Sequence, residues 1–305
     1  MAILSTLPPC AQPEAGIQTR LGVPVLLRLW HLTSLDAPTV AVVWTLAFAW
    51  IAHIRLPAWP AAVIGLSAWS VYIGDRLLDA RKAQTPLRAR HHFHWKHRRV
   101  FIPIAIFAAI AAVALVIHSM PYFARERNSI LAAAALAYFT SVHSPWRSPA
   151  IHRWHLFPKE LLVGVLFTLA CAAPTLTRIA ARSAAPFAIA LFPAILTFIA
   201  LAWLNCHAIE SWESRPHGRF TLLLPAAAIA ATAAIAAILE ALLRDPRQAA
   251  LLLLAACSAG LLALLDRCRH NLTPIALRVC ADLVLLTPIC LLVFSWQFCP
   301  GRIFP

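Results

Sequence analysis

Charge is scarce in this chain. Only 12% of its 305 residues are Asp, Glu, Lys or Arg, about half of the ~25% usual in soluble domains, so a fully solvated surface is excluded. Acid is scarcer still, with 12 Asp and Glu against 26 Lys and Arg. Glycine is rare, 8 residues against 23 prolines, and no Gly-rich phosphate loop is present. The eight cysteines (10, 171, 206, 257, 268, 280, 290 and 299) contain no C-x-x-C pair. That argues against zinc, iron–sulfur and disulfide-framework readings and leaves most of them as small apolar fillers. The segment before Arg20 has no basic residue followed by a long apolar run, so it does not read as a signal peptide. There is no soluble second domain, low-complexity tract or clear repeat.

What is abundant is apolar and arranged in blocks. Hydrophobic residues make up 61% and the mean hydropathy is +0.75. Blocks of about 17–25 apolar residues match the thickness of a bilayer. Reading them between charged or Pro-rich breaks predicts nine helices at 37–56, 58–74, 100–119, 129–146, 159–176, 184–205, 220–242, 247–265 and 276–297. The expected architecture is an all-α polytopic membrane protein. Residues 1–35 form a cytoplasmic or interfacial segment, and 36–305 a single helical domain with loops at 75–99 and 206–219. With nine spans, 18 of the 26 Lys and Arg fall on one side. The positive-inside rule makes that side cytoplasmic, with the N-terminus inside and the C-terminus outside the cell membrane.

Against this background two acidic helix ends stand out. Asp75 and Asp79 close the second span, four residues apart, and Glu210 and Glu213 follow the sixth, three apart. Either spacing puts both carboxylates on one helix face. Both pairs fall on the cytoplasmic side of the expected topology. Two readings stay open. Together the pairs suit hard divalent cations, which prefer oxygen ligands and would accept a substrate's phosphates. Each pair also has cations beside it (Arg76, Arg81 and Arg215), and charges at an interfacial helix end are ordinarily solvated or locally paired.

The arrangement resembles the UbiA superfamily of intramembrane prenyltransferases, whose nine helices carry two aspartate-rich motifs after helices two and six. On the first motif, N-D-x-x-D-x-x-x-D, Asp75 falls on the Asn, Arg76 on the following Asp, Asp79 on the middle Asp and Ala83 on the last. On the second, D-x-x-D-x-x-x-D, Glu210 and Glu213 match the first two acids and His217 replaces the third, with Gly218 and Thr221-Leu222 following. Tyr138, Ser144-Pro145-Trp146-Arg147 and Lys159 lie where the family has a Tyr and basic residues. The resemblance implies Mg²⁺ held by Asp75, Asp79, Glu210 and Glu213. The substrate would be an isoprenyl diphosphate, transferred to a hydrophobic acceptor or cyclised within one molecule. Arg76 at a ligand position, Glu for Asp and the missing carboxylates depart from the family pattern. Fewer anionic ligands weaken Mg²⁺ binding.

Other residues join as candidates. Asn205 is a neutral ligand at the end of span six, and Lys159, Arg147 and His217 are diphosphate contacts by family position. Trp69, Tyr72, Phe167 and Trp203 either steady an allylic cation or anchor helix ends at the interface. The loop Arg88–Arg99 packs Arg88, Arg90, Lys96, Arg98 and Arg99 among His91, His92, His94 and His97. It reads as a clamp for diphosphate or anionic lipid headgroups, as a topology-setting loop, or least readily as a metal site, since its cations oppose a further cation. Nucleic acid is not expected as a partner. Asp282 follows Arg278 by four residues, which predicts an internal ion pair, and Asp36 after Thr33-Ser34 predicts a capping or interfacial role. Three classes of function follow: a UbiA-like enzyme, a non-catalytic isoprenoid- or lipid-binding relative of the same fold, and a transporter. The scarcity of ionisable residues in the spans counts against transport.

Overall fold

The computed structural model describes residues 21–82, 89–143, 158–181, 190–214 and 222–298, and these are almost wholly helical. In chain order the helices are α1 Val25–Leu32, α2 Asp36–Ile51, α3 Ala58–Lys82, α4 Ala89–Lys96, α5 Arg98–Ser119 and α6 Tyr122–His143. They are followed by α7 Lys159–Ala181, α8 Phe192–Ser214, α9 Leu223–Leu242, α10 Pro246–Cys268, α11 Pro274–Val284 and α12 Ile289–Phe298. Local chemistry explains several boundaries. The Asp245 side chain accepts from the Gln248 amide with Pro246 at the first helical position, and Thr273 with Pro274 repeats the device at α11.

Glycine's scarcity shows at the C-termini of α1, α2 and α9. Ser34, His53 and Arg244 occupy the left-handed region there, with φ of 56, 55 and 64°. Each is followed by the six-to-one backbone bond of a Schellman motif, Leu35 to Trp30, Ile54 to Ala49 and Asp245 to Glu240. Most chains place glycine at such a position because a Cβ is strained there.

Among the described residues six helices are long and apolar enough to cross a membrane (58–81, α5, α7, α8, α9 and the 246–271 segment), or seven if α1 and α2, bent by 87°, count as one broken span. Each of the nine predicted blocks contains helix where described, though 52–56 and 285–288 are not helical, and three blocks fall short by this measure for physical reasons. α2 has 16 residues, about 24 Å at 1.5 Å per residue against a ~30 Å hydrocarbon core. In α6 the Arg125-Glu126-Arg127 triplet shortens the apolar stretch. The last block is broken between α11 and α12. The carbonyls released there are satisfied from neighbours: Trp44 Nε1 donates to Leu285 O at 2.9 Å and Ser258 Oγ to Val284 O at 2.9 Å. A break inside an apolar bundle is tolerated only with such partners.

The core runs through α2, α7, α8, α10 and α11, centred on Trp44 stacked against Phe198 at 3.7 Å between ring centres. α7 and α8 approach so closely at Gly164 that a Cβ would lie 3.1 Å from Trp203 N and 3.2 Å from Ile199 O. α5 and α9 instead present long rows of exposed apolar side chains, Ile102, Ile106, Phe107, Ile110 and Val113 on one, Leu224, Ile235, Ile238 and Leu242 on the other. Such faces suit lipid and are rare on soluble monomers.

Candidate functional site

The polar chemistry gathers at one end of the bundle, where α3, α6, α8 and α10 end and α2, α5, α7, α9 and α11 begin. Three sets of side chains occupy it.

The first set closes α3. Asp75 accepts from Arg76 Nη1 at 3.0 Å, and its other oxygen lies 3.1 Å from His143 Nε2 at the end of α6. Asp79, about half exposed, faces His91 of α4 at 3.8 Å. Asp75, Asp79 and His143 each offer a ligand atom within 4.8 Å of the others. Arg76 also lies over the Tyr72 ring, 5.5 Å from its centre.

The second set spans α7 and α8. Lys159 Nζ reaches Glu160 at 3.7 Å and Glu210 at 4.0 Å, while Glu213 pairs with Arg278 of α11. Trp203 stacks on His207 with ring centres 5.4 Å apart. Tyr138 is half-buried on α6, the helix whose His143 belongs to the first set. Behind them, buried Asp266 accepts from Trp212 Nε1 and from the Leu222 amide, both at 2.9 Å, and pairs with Arg269 at 3.1 Å. This one carboxylate ties the end of α8 to the starts and ends of its neighbours.

The third set lies inside the bundle and was not assembled from the sequence. His31 Nδ1 is 2.6 Å from Asp36 Oδ2 and 3.7 Å from Asp282 Oδ2. Asn205 Nδ2 reaches Asp282 Oδ1 at 3.4 Å.

Of the candidate residues, Asp75, Asp79, Tyr72 and Tyr138 gather around the first set, and Lys159, Glu210 and Glu213 around the second. Asn205 belongs to the interior. Arg88, Arg147 and His217 lie outside the described residues, as do Ser144-Pro145-Trp146, Ala83, Arg215, Gly218 and Thr221. Two expectations are corrected. Arg278 pairs with Glu213 across to α8, not with Asp282 along its own helix, because an i,i+4 pair gains only ~0.3–0.5 kcal/mol and a carboxylate on the facing helix outcompetes it. Asp36 is drawn to His31, although its Oδ1 also accepts from the Ala37 amide at 2.9 Å. The loop histidines separate: His94 is wholly buried, bonded to Arg90 O at 2.8 Å and 3.4 Å from Ser34 Oγ, whereas His97 turns to Phe93 O at 2.9 Å. Of the aromatic candidates, Trp69 Nε1 donates to Thr33 O at 2.9 Å and Phe167 packs against Phe198. His143 and His31 escaped the sequence reading. His143 meets Asp75 on α3 and His31 meets Asp282 on α11, so no spacing along one helix marks them.

Comparison with protein-family models, with curated proteins and with solved structures gives no match.

The donor chemistry fits a divalent cation unequally at the two acidic helix ends. The α3 end offers Asp75, Asp79 and His143 within reach of one ion. At the α8 end Glu213 is already engaged by Arg278, and Glu210 remains, partly shared with Lys159.

Proposed function

We propose that this chain is an intramembrane enzyme of UbiA-like plan that acts on an isoprenyl diphosphate, by alkyl transfer to a hydrophobic acceptor or by cyclisation. One observation carries the reading: two acidic helix ends lie at the same end of an apolar bundle, with Lys159 beside one. In this reading α2, α6 and the broken α11–α12 complete nine spans, and the site-bearing end faces the cytoplasm because it carries most of the Lys and Arg. The protein resides in the cell membrane with its N-terminus inside.

Asp75 and Asp79 would hold Mg²⁺, with Glu210 opposite. These residues would thereby place positive charge beside the phosphate oxygens, the chemistry that an allylic diphosphate needs for its carbon–oxygen bond to break. Lys159, 62% exposed and tethered between Glu160 and Glu210, supplies a mobile cation for the diphosphate. His143 orients the Asp75 carboxylate, and Tyr72 and Trp203 offer aromatic faces at the depth where a carbocation must be kept from water.

A second reading is favoured by a specific observation: Arg76 and Arg278 already neutralise Asp75 and Glu213. Such pairing suits a relative that binds an isoprenoid or lipid without turnover. The two separate in one experiment. Purified protein in nanodiscs is offered geranyl, farnesyl and geranylgeranyl diphosphates with and without Mg²⁺, and pyrophosphate is measured. The enzyme reading expects metal-dependent release that disappears in the Asp79→Ala/Glu210→Ala variant. Binding of the same diphosphates without release from any of them establishes the second reading.

A further inference from the structure

We propose that His31, Asp36, Asp282 and Asn205 form a buried site for one divalent transition-metal ion, separate from the acidic helix ends. The three titratable ligand atoms lie within 4.8 Å of one another, and the His31, Asp36 and Asp282 side chains are 4, 7 and 17% exposed. They come from three elements, the end of α1, the start of α2 and the last turn of α11, so the convergence belongs to the fold and not to one helix face.

The second observation is independent of that cluster. Asn205 is 6% exposed, and its Oδ1 is buried without a hydrogen-bond partner. Its amide nitrogen points at Asp282 Oδ1 from 3.4 Å, a long contact. Amide nitrogen and oxygen exchange places by a half-turn about the terminal bond, and that turn aims the unpartnered oxygen into the cluster. A buried carbonyl oxygen lacking a donor is costly, and a cation is the partner that suits it.

Charge balance points the same way. Two buried carboxylates face one imidazole, so with both ionised one negative charge stays unmatched within the set even when His31 is protonated. Arg76, whose charge reaches Asp36, is itself paired with Asp75. A divalent cation with neutral His31 brings the set to zero, the condition under which buried ionised groups are tolerated. One imidazole nitrogen, two carboxylates and an amide oxygen form a mixed set. Mg²⁺ and Ca²⁺ take oxygen alone, whereas imidazole with carboxylate suits Mn²⁺, Fe²⁺ and Zn²⁺.

The test reads metal content and spectra, so it stands apart from any result with diphosphates. Full-length protein purified in detergent without chelator is analysed for metals, then stripped and titrated with Mn²⁺ and with Zn²⁺ while the melting temperature is followed. The proposal expects about one equivalent of Mn, Fe or Zn per chain, a melting temperature that falls on stripping and recovers on titration, and loss of the metal in Asp36→Asn/Asp282→Asn. The Asp79→Asn/Glu210→Gln variant keeps it. Should the first variant not fold, Mn²⁺-loaded protein carrying His91→Gln and His143→Gln, in which the rim offers no imidazole, decides the matter: electron spin-echo modulation from an imidazole nitrogen supports the site. Its absence, a metal content at background with no thermal response to either ion, or full retention by a folded Asp36→Asn/Asp282→Asn variant overturns it.

Discussion

The carboxylates at the site-bearing end fall into two populations that differ in what holds them. Asp75, Asp79 and Glu210 sit on the rim, partly exposed, each answered by a flexible or titratable neighbour. Asp36, Asp282 and Asp266 lie inside, answered by groups from several helices at once. A rim carboxylate free to change partners suits a ligand that comes and goes. An interior carboxylate suits a fixed structural or metal role, because losing its partners leaves a buried charge unmatched.

The largest effect that separates the populations is on stability. Asp36→Ala removes the 2.6 Å partner of buried His31, which keeps only the 3.7 Å approach to Asp282, and breaking a buried charged pair costs about 3–5 kcal/mol. Asp79→Ala, with a half-exposed side chain, is expected to cost under about 1 kcal/mol while abolishing diphosphate-dependent pyrophosphate release. Unfolding of both variants in mixed micelles compares them directly. Equal destabilisation would erase the distinction.

Asp266→Ala sharpens the interior case without touching the proposed metal site. It orphans Trp212 Nε1, the Leu222 amide and Arg269. Hydrogen bonds to charged groups contribute ~1.5–3 kcal/mol each, so with three partners lost a destabilisation above about 4 kcal/mol is expected. Because Asp266 holds the end of α8, which bears Glu210, activity should fall as well, even below the melting transition. Unaltered activity in the folded variant would show that the α8 end needs no such anchor.

Gly164→Val asks whether the rim depends on helix spacing. The added atoms meet the backbone of α8 at Trp203 and Ile199, which cannot swing aside as a side chain can. Overpacking of this kind costs about 1–3 kcal/mol. Separation of α7 from α8 should also pull Lys159 from Glu210, seen as a changed salt dependence of diphosphate binding.

The two populations were unequally legible. Apolar blocks locate helices well, because a run such as Leu223–Leu242 admits no other structure in lipid, and the rim acids were visible because they share a helix face. The α3 helix nonetheless continues through Arg76 and Arg81 to Lys82, since charged residues are good helix formers once past the bilayer edge. The interior set was hidden. His31 and Asp282 meet only when α1 packs on α11, and the i,i+4 pattern offered Asp282 the wrong partner. Chain breaks inside a span, as between α11 and α12, are hidden for the same reason: Trp44 and Ser258, which satisfy them, are remote in sequence.

The smallest expected effect concerns a group between the two populations, His94 of the basic helix α4. Its ring is wholly buried, and burial holds its pKa below the ordinary histidine value, with Arg76 and Arg90 adding to the effect against the Arg90 carbonyl bond and Asp36. The folded state therefore prefers neutral His94, with Nδ1–H donating to Arg90 O and Nε2 facing the Ser34 hydroxyl. Above about pH 6.5, the ordinary histidine pKa, the docking of α4 is at full strength. As pH falls, the undocked helix takes up a proton that the docked one resists, and docking weakens until the folded pKa is passed. Amide exchange of residues 89–96 should thus rise between pH 7.5 and 5.5 in wild type and lose most of that pH dependence in His94→Gln. An unchanged profile in the variant would assign the response to His91 beside Asp79, and so to the rim.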